Sequence, residues 1–144
     1  MSEELRLSLL GTPQILMGGQ PLNGFATNKA QALLFYLAVM AQAVGEPTVA
    51  HSRETVTTLL WGEMPEVKAR RNLRAVLPDL RRLVGDYLQI DRQSITFDTA
   101  RPFWLDVQQF FQLLSQPFDL GRWQTAVKVY QGEFLSGFTV TNAP

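Results

Sequence analysis

The chain is 144 residues long, 46% hydrophobic and 18% charged, the balance of an ordinary folded domain and not of a disordered or collagen-like one. It has no cysteine and one histidine, His51, which excludes disulfides, thiolate metal sites and cysteine nucleophiles and makes a Ser-His-Asp arrangement or a metal centre a poor reading. Thirteen basic and thirteen acidic residues cancel. Between 66 and 82, however, six basic residues (Lys68, Arg70, Arg71, Arg74, Arg81, Arg82) face two acidic ones (Glu66, Asp79), a local excess of +4 on a remainder of −4. A basic segment on an acidic body points to a localised anionic partner.

Leu5, Leu7 and Leu9 alternate with polar neighbours, as a half-buried strand requires. Ile15–Met17 and Pro21-Leu22, joined by Gly18-Gly19-Gln20, complete a small antiparallel meander with Pro21 at an edge or at the start of a strand. Thr27 is placed to cap a first helix carrying Ala30, Leu33, Leu34, Leu37 and Ala41 at helical spacing, ended by Gly45 and Pro47. A short strand is predicted over Thr48–His51. Ser52 then caps a second helix with Glu54 in its first turn, Val56, Leu59 and Leu60 as its buried stripe, and Gly62 as its stop. Pro65 suits the start of a third helix, which Gly85 closes. Tyr87–Ile90 and Ser94–Phe97, with Asp91-Arg92-Gln93 between them, read as a hairpin with a polar tip.

Beyond a boundary near Arg101-Pro102, the chain from Asp106 reads as helical. Val107, Phe110, Phe111 and Leu114 share one face, Pro117 interrupts, and Leu120, Trp123, Val127 and Tyr130 share a second, with Phe134, Leu135 and Phe138 after it. Three helices followed by a hairpin is the layout of a winged helix-turn-helix. The expected fold class is therefore α+β: an N-terminal antiparallel sheet, a winged helix with a C-terminal hairpin wing, and further helices. The predicted domains are 1–101 and 102–144, the second either the start of a further helical domain or a segment that packs back on the first.

The third helix carries the functional signal. With Leu73 at zero and 100° per residue, Leu77, Leu80 and Val84 fall within about 40° of it. Lys68, Arg71, Ala75 and Arg82 lie opposite, and Arg74 and Arg81 lie on a flank. Burying the leucines turns an arginine-rich face outward, suited to guanine edges and phosphates in a major groove, and small Ala75 allows close approach. A solvated helix surface has the same pattern, so the flanking helices and hairpin carry the argument further than the arginines alone. Pro78 removes one backbone hydrogen bond and crowds the Arg74 carbonyl, so a kink or a split is expected there. Thr27 and Lys29 at the first helix start are candidate phosphate contacts, with capping as the simpler role. Arg92 and Gln93 are candidates for a minor groove, with a polar turn as theirs.

Several runs then resemble a known family. They are Leu5-Arg6-Leu7-Ser8-Leu9-Leu10-Gly11, Thr27-Asn28-Lys29-Ala30-Gln31-Ala32-Leu33-Leu34, Ser52-Arg53-Glu54 with Leu59-Leu60-Trp61, Ala69-Arg70-Arg71-Asn72-Leu73-Arg74, and Leu80-Arg81-Arg82-Leu83-Val84-Gly85-Asp86. In order and spacing they resemble the Streptomyces antibiotic regulatory protein (SARP) family. Asp106-Val107-Gln108-Gln109-Phe110 and Tyr130-Gln131-Gly132-Glu133-Phe134-Leu135-Ser136-Gly137-Phe138 are similar to the opening of that family's bacterial transcriptional activation domain. The resemblance implies an OmpR-type winged helix that reads direct repeats in promoter DNA as a side-by-side pair. It also implies a following domain of tetratricopeptide-like helices that works with RNA polymerase, here only its beginning. By position it sets Arg71, Arg74, Ala75 and Pro78 on the DNA-facing helix (66–84) and Arg92-Gln93 on the wing (91–94).

The sequence reading is thus a DNA-binding regulator, not an enzyme, with no cofactor and no membrane partner. An acidic start and the lack of any apolar run near ~18 residues make the cytoplasm the expected compartment. The rival is a winged-helix module that binds protein instead of DNA, which needs no basic outer helix.

Overall fold

The computed structural model describes residues 4–25, 27–43, 50–115, 119–130, 132 and 135. Among them, in chain order, are strands β1 (Leu5–Ser8), β2 (Gln14–Met17) and β3 (Gln20–Pro21), helix α1 (Asn28–Ala43), strand β4 (Ala50–Ser52), helices α2 (Arg53–Trp61) and α3 (Glu66–Val84), strands β5 (Leu88–Ile90), β6 (Ser94–Phe97) and β7 (Phe103–Leu105), and helices α4 (Asp106–Ser115) and α5 (Leu120–Val129). The architecture is mixed α+β. None of the described helices is long and apolar enough to cross a membrane. The residues group into two compact units, one of 4–22 with those from 102 onward, the other of 23–101. The boundary expected from composition is a single one, near Arg101-Pro102. The predicted terminators Gly45, Pro47 and Pro117, the predicted strand residues Thr48 and Val49, and Phe134 and Phe138 lie outside the described residues, as do the side chains of Phe111 and Trp123.

The first unit is built on a four-stranded sheet, β3-β2-β1-β7. The predicted meander is present, with Leu5, Leu7 and Leu9 fully buried. Gly18 and Gly19 make the two-residue turn between paired Met17 and Gln20. Both have positive φ, 60° and 82°, the conformation a type I′ hairpin needs and a side chain resists. Pro21 sits on the edge strand, where its missing N–H breaks no ladder. The sheet is not purely antiparallel, however: β7 pairs parallel with β1, Arg6 opposite Trp104. The Arg6 guanidinium lies 4.2 Å from the Trp104 ring centroid and also pairs with Glu4 at 2.9 Å.

Where β7 runs into α4, Asp106 is 1% exposed. Its carboxylate accepts the backbone N–H groups of Leu9 (2.8 Å), Leu10 (2.9 Å) and Val107 (2.9 Å). It satisfies both the end of β1 and the start of α4. Asp106→Asn keeps one acceptor oxygen but turns an NH2 group toward a donor. It should destabilise this unit by roughly 1–3 kcal/mol, read as a lower denaturant midpoint; an unchanged midpoint would mean the carboxylate's second oxygen contributes nothing. α4 and α5 pack together, but the predicted second stripe is wrong. Leu120 (63%), Val127 (69%) and Tyr130 (47%) are exposed, although the Tyr130 ring lies 5.6 Å from that of Phe110, and among the described side chains of α5 Ala126 is the buried one.

In the second unit, α1, α2 and α3 pack on one another and on a three-stranded sheet, β4-β6-β5. Thr27 caps α1, its Oγ1 accepting from Ala30 N at 3.2 Å, and Ser52 caps α2, accepting from Thr55 N at 3.0 Å. The buried side of α2 is Val56, Thr57, Leu60 and Trp61. The predicted Leu59 is instead 53% exposed, because consecutive Leu59 and Leu60 point 100° apart and Trp61 fills the space the stripe needs. The leucine face of α3 is as predicted: Leu73, Leu77, Leu80 and Val84 are each at most 3% exposed, joined by Ala69 and Val76. The helix is continuous through Pro78, so the split does not occur. Arg74 and Pro78 are both exposed, so the carbonyl left without its amide donor is within reach of water. Tyr87 is not in the hairpin but in a 3₁₀ turn, Gly85–Tyr87, tilted against Phe97 at 5.9 Å. His51, in the middle of β4, meets Tyr36 edge-on at 5.1 Å, and burial pushes its pKa down.

Candidate nucleic-acid interface

The buried stripe of α3 fixes what its other side presents. Lys68, Arg70, Arg71, Arg74, Ala75, Pro78, Arg81 and Arg82 are all exposed, but they differ in what already engages them. Arg70 pairs with Glu66 at 2.6 Å, one turn earlier. Arg82 pairs with Asp79 at 2.6 Å and donates to the Gly24 carbonyl at 3.1 Å. Gly24 has φ +104°, a backbone conformation that a side chain resists, while a Cβ there would meet the Arg82 guanidinium only at ordinary contact distance, 3.5 Å. The side chains of Lys68, Arg71, Arg74 and Arg81 have no ion pair or hydrogen bond among the described residues. The available charge is therefore concentrated in these four, on the helix face opposite and flanking the leucines.

The hairpin tip is rigidly constructed. Asp91 Oδ1 accepts from the backbone of Gln93 (2.8 Å) and Ser94 (2.7 Å), and the Ser94 hydroxyl also reaches the carboxylate. Those two amides, Gln93 first, hold the Asp91 carboxyl below the usual carboxylate range, with the Ser94 hydroxyl and the Arg53 charge adding to the effect. Arg53 closes the tip from the start of α2: its N–H donates to the Gln93 carbonyl at 2.9 Å and its Nε to the Asp91 carbonyl at 2.8 Å. Arg92 and Gln93 are exposed at the tip, and Arg92 has no partner among the described residues.

Between α2, the first half of α3 and this tip lies a cleft of about 630 Å³, with Arg53, Arg70, Arg74 and Arg92 among its walls, and Glu54 and Glu66 against them. Trp61 lines it too; its indole N–H is buried without an acceptor among the described residues. Arg53 and the cleft were not legible as a site, because Arg53 and Asp91 are 38 residues apart and only the β4–β6 pairing, Ser52 opposite Ser94, brings them together.

The two candidates at the start of α1 stand differently. The Thr27 hydroxyl is engaged in capping. Lys29 is 8% exposed, its ammonium bonded to the Leu60 carbonyl and 5.7 Å from the Trp61 ring centroid. A lysine whose head group satisfies a helix-end carbonyl under an indole is a packing residue, and it is not presented to a partner.

No protein-family profile and no curated protein sequence matches the chain. A solved structure does: Mycobacterium tuberculosis EmbR in complex with a low-affinity phosphopeptide, at a TM-score of 0.63 and 20% identity over 93% of this chain. The chain spans 38% of the length of that protein. What the two share at this identity is the fold, over nearly the whole of the chain described here.

Proposed function

We propose that residues 23–101 are a winged helix-turn-helix that binds duplex DNA, with α3 (66–84) in the major groove and the β5–β6 hairpin as the wing. The observation that carries this is the unanswered charge of Lys68, Arg71, Arg74 and Arg81 on the face opposite and flanking a fully buried leucine stripe. Arginines free of internal partners can meet guanine edges bidentately, and Ala75 and Pro78 leave the middle of that face without long side chains. Arg82 and Lys29, already engaged, and the cap Thr27 drop out of the reading face. The resemblance in segment order to SARP regulators supports promoter direct repeats as the target, bound by a side-by-side pair, and residues 102–144 as the opening of an activation domain acting on RNA polymerase. It is a regulator's role and not a catalyst's, exercised in the cytoplasm.

Fluorescence anisotropy of the chain on duplexes selected from a random pool tests this. With five cations available, Lys68, Arg71, Arg74, Arg81 and Arg92, the log–log slope of affinity against salt should reach about −2 to −4.5, at about −0.9 per neutralised phosphate. A flat salt dependence, or no enriched sequence, would reject the DNA reading. A protein-binding role then takes its place, favoured by the exposed Leu59 (53%) and Val67 (65%) on either side of the α2–α3 loop.

A further inference from the structure

We propose that the cleft between α2, α3 and the hairpin tip seats one backbone phosphate of the bound duplex, gripped by Arg74 and Arg92, and that Arg53 is the residue that positions Arg92 for it. This rests on the DNA reading above and assigns Arg74, on the flank of the α3 face, to a phosphate and not to a base.

The tip is held from both sides of Arg92. Arg53 donates through its backbone to Gln93 and through Nε to Asp91, so the residues flanking Arg92 are both tied to the first residue of α2. Asp91 closes the turn from within. The latched tip sets Arg92 on the wall of the cleft that Arg74 also lines.

The charges there are uneven. The Arg70 charge is met by Glu66 in place. Arg53 turns its Nε to a neutral carbonyl, and Arg74 and Arg92 are unpartnered among the described residues. Four arginines against two glutamates leave a site with a surplus of two positive charges. A phosphodiester carries one negative charge and two free oxygens, which two guanidinium forks can share. Such a contact fixes the register of the protein on the duplex and carries no sequence information itself.

The test uses the full chain and its pool-selected duplex in a salt series. Arg92→Ala should lower the steepness of the log–log slope by about 0.9 without changing the enriched sequence. Arg53→Met should do the same, and the Arg53→Met, Arg92→Ala double variant should be no weaker than Arg92→Ala alone. Arg53→Lys keeps the charge but lacks the Nε–H, and should behave as Arg53→Met. It also serves if the methionine variant melts early. A neutral methylphosphonate walked along each strand should find one position that weakens the unaltered protein and is silent in Arg92→Ala. An unchanged slope in Arg92→Ala, in a chain that still binds DNA, overturns the cleft and leaves the DNA reading standing. Additive losses in the double variant overturn the positioning role of Arg53. Binding of a phosphoserine peptide that is lost in Arg92→Ala, while that variant binds DNA as the unaltered chain does, assigns the cleft to a peptide instead. Absence of DNA binding by the unaltered chain overturns both readings.

Discussion

Leu77→Ala is expected to destabilise the 23–101 unit by about 2–5 kcal/mol and to lower its melting temperature by about 8 °C or more. Leu77 is 3% exposed, on a stripe with Leu73, Leu80 and Val84 that faces α1 and the other helices of its unit. Truncation removes the transfer free energy of the lost methyl-bearing carbons and leaves a cavity. The helix on which it sits already lacks one hydrogen bond at Pro78, so that segment has less capacity to hold its geometry while neighbours collapse inward. The matched control is Leu59→Ala: the same residue type, one helix earlier, but 53% exposed, where a change within about 0.5 kcal/mol is expected. Equal effects at the two positions, in thermal or denaturant melts, would mean that the phase of one of these helices is wrong.

That pair of leucines also marks how far the sequence could be read. Helical periodicity found the main buried face of α3 because Leu73, Leu77, Leu80 and Val84 lie within about 40° of one another and the charged residues fall elsewhere, although Ala69 and Val76 also join that face. In α2 the apolar residues run consecutively, Leu59-Leu60-Trp61, and a stripe can be drawn through either leucine; the size of Trp61 decides, and size is a tertiary matter. Helix α5 lies where the sequence puts it, but its buried face does not: small Ala126 is buried and the larger Leu120 and Val127 are exposed. Caps were legible because they are local chemistry: Thr27 and Ser52 bond within three residues of themselves. Strand β7 was not, since its parallel partner β1 is 98 residues away in sequence and no turn joins them. The candidate site divides along the same line. The outward arginines follow from the helix phase, but which of them are free follows from Glu66, Asp79 and Gly24, two on the same helix and one far from it. The engagement of Lys29 is not legible either, because a lysine at a helix start gives no sign in sequence that a carbonyl 31 residues on will claim it.

The Arg71→Ala, Arg74→Ala double variant should lose affinity for its selected duplex by roughly 2–6 kcal/mol, at about 1–3 kcal/mol for each arginine that meets a base or phosphate. Direction within the pair is as informative as size. Arg71 lies opposite the leucine stripe, deepest toward a groove, so Arg71→Ala alone should relax preference at one base position. Arg74 lies on the flank and on the cleft wall, so Arg74→Ala should mostly flatten the salt dependence and leave the preferred sequence intact. Arg70 supplies the internal control. It is as exposed as its neighbours but its charge is met by Glu66, an exposed pair worth little to stability, so Arg70→Ala should change affinity less than either. Had net charge on the helix been all that mattered, the three single variants would weaken binding alike. Anisotropy titrations at two salt concentrations separate these outcomes, and equal losses across Arg70, Arg71 and Arg74 would reduce α3 from a reader of bases to a basic rod lying along phosphates.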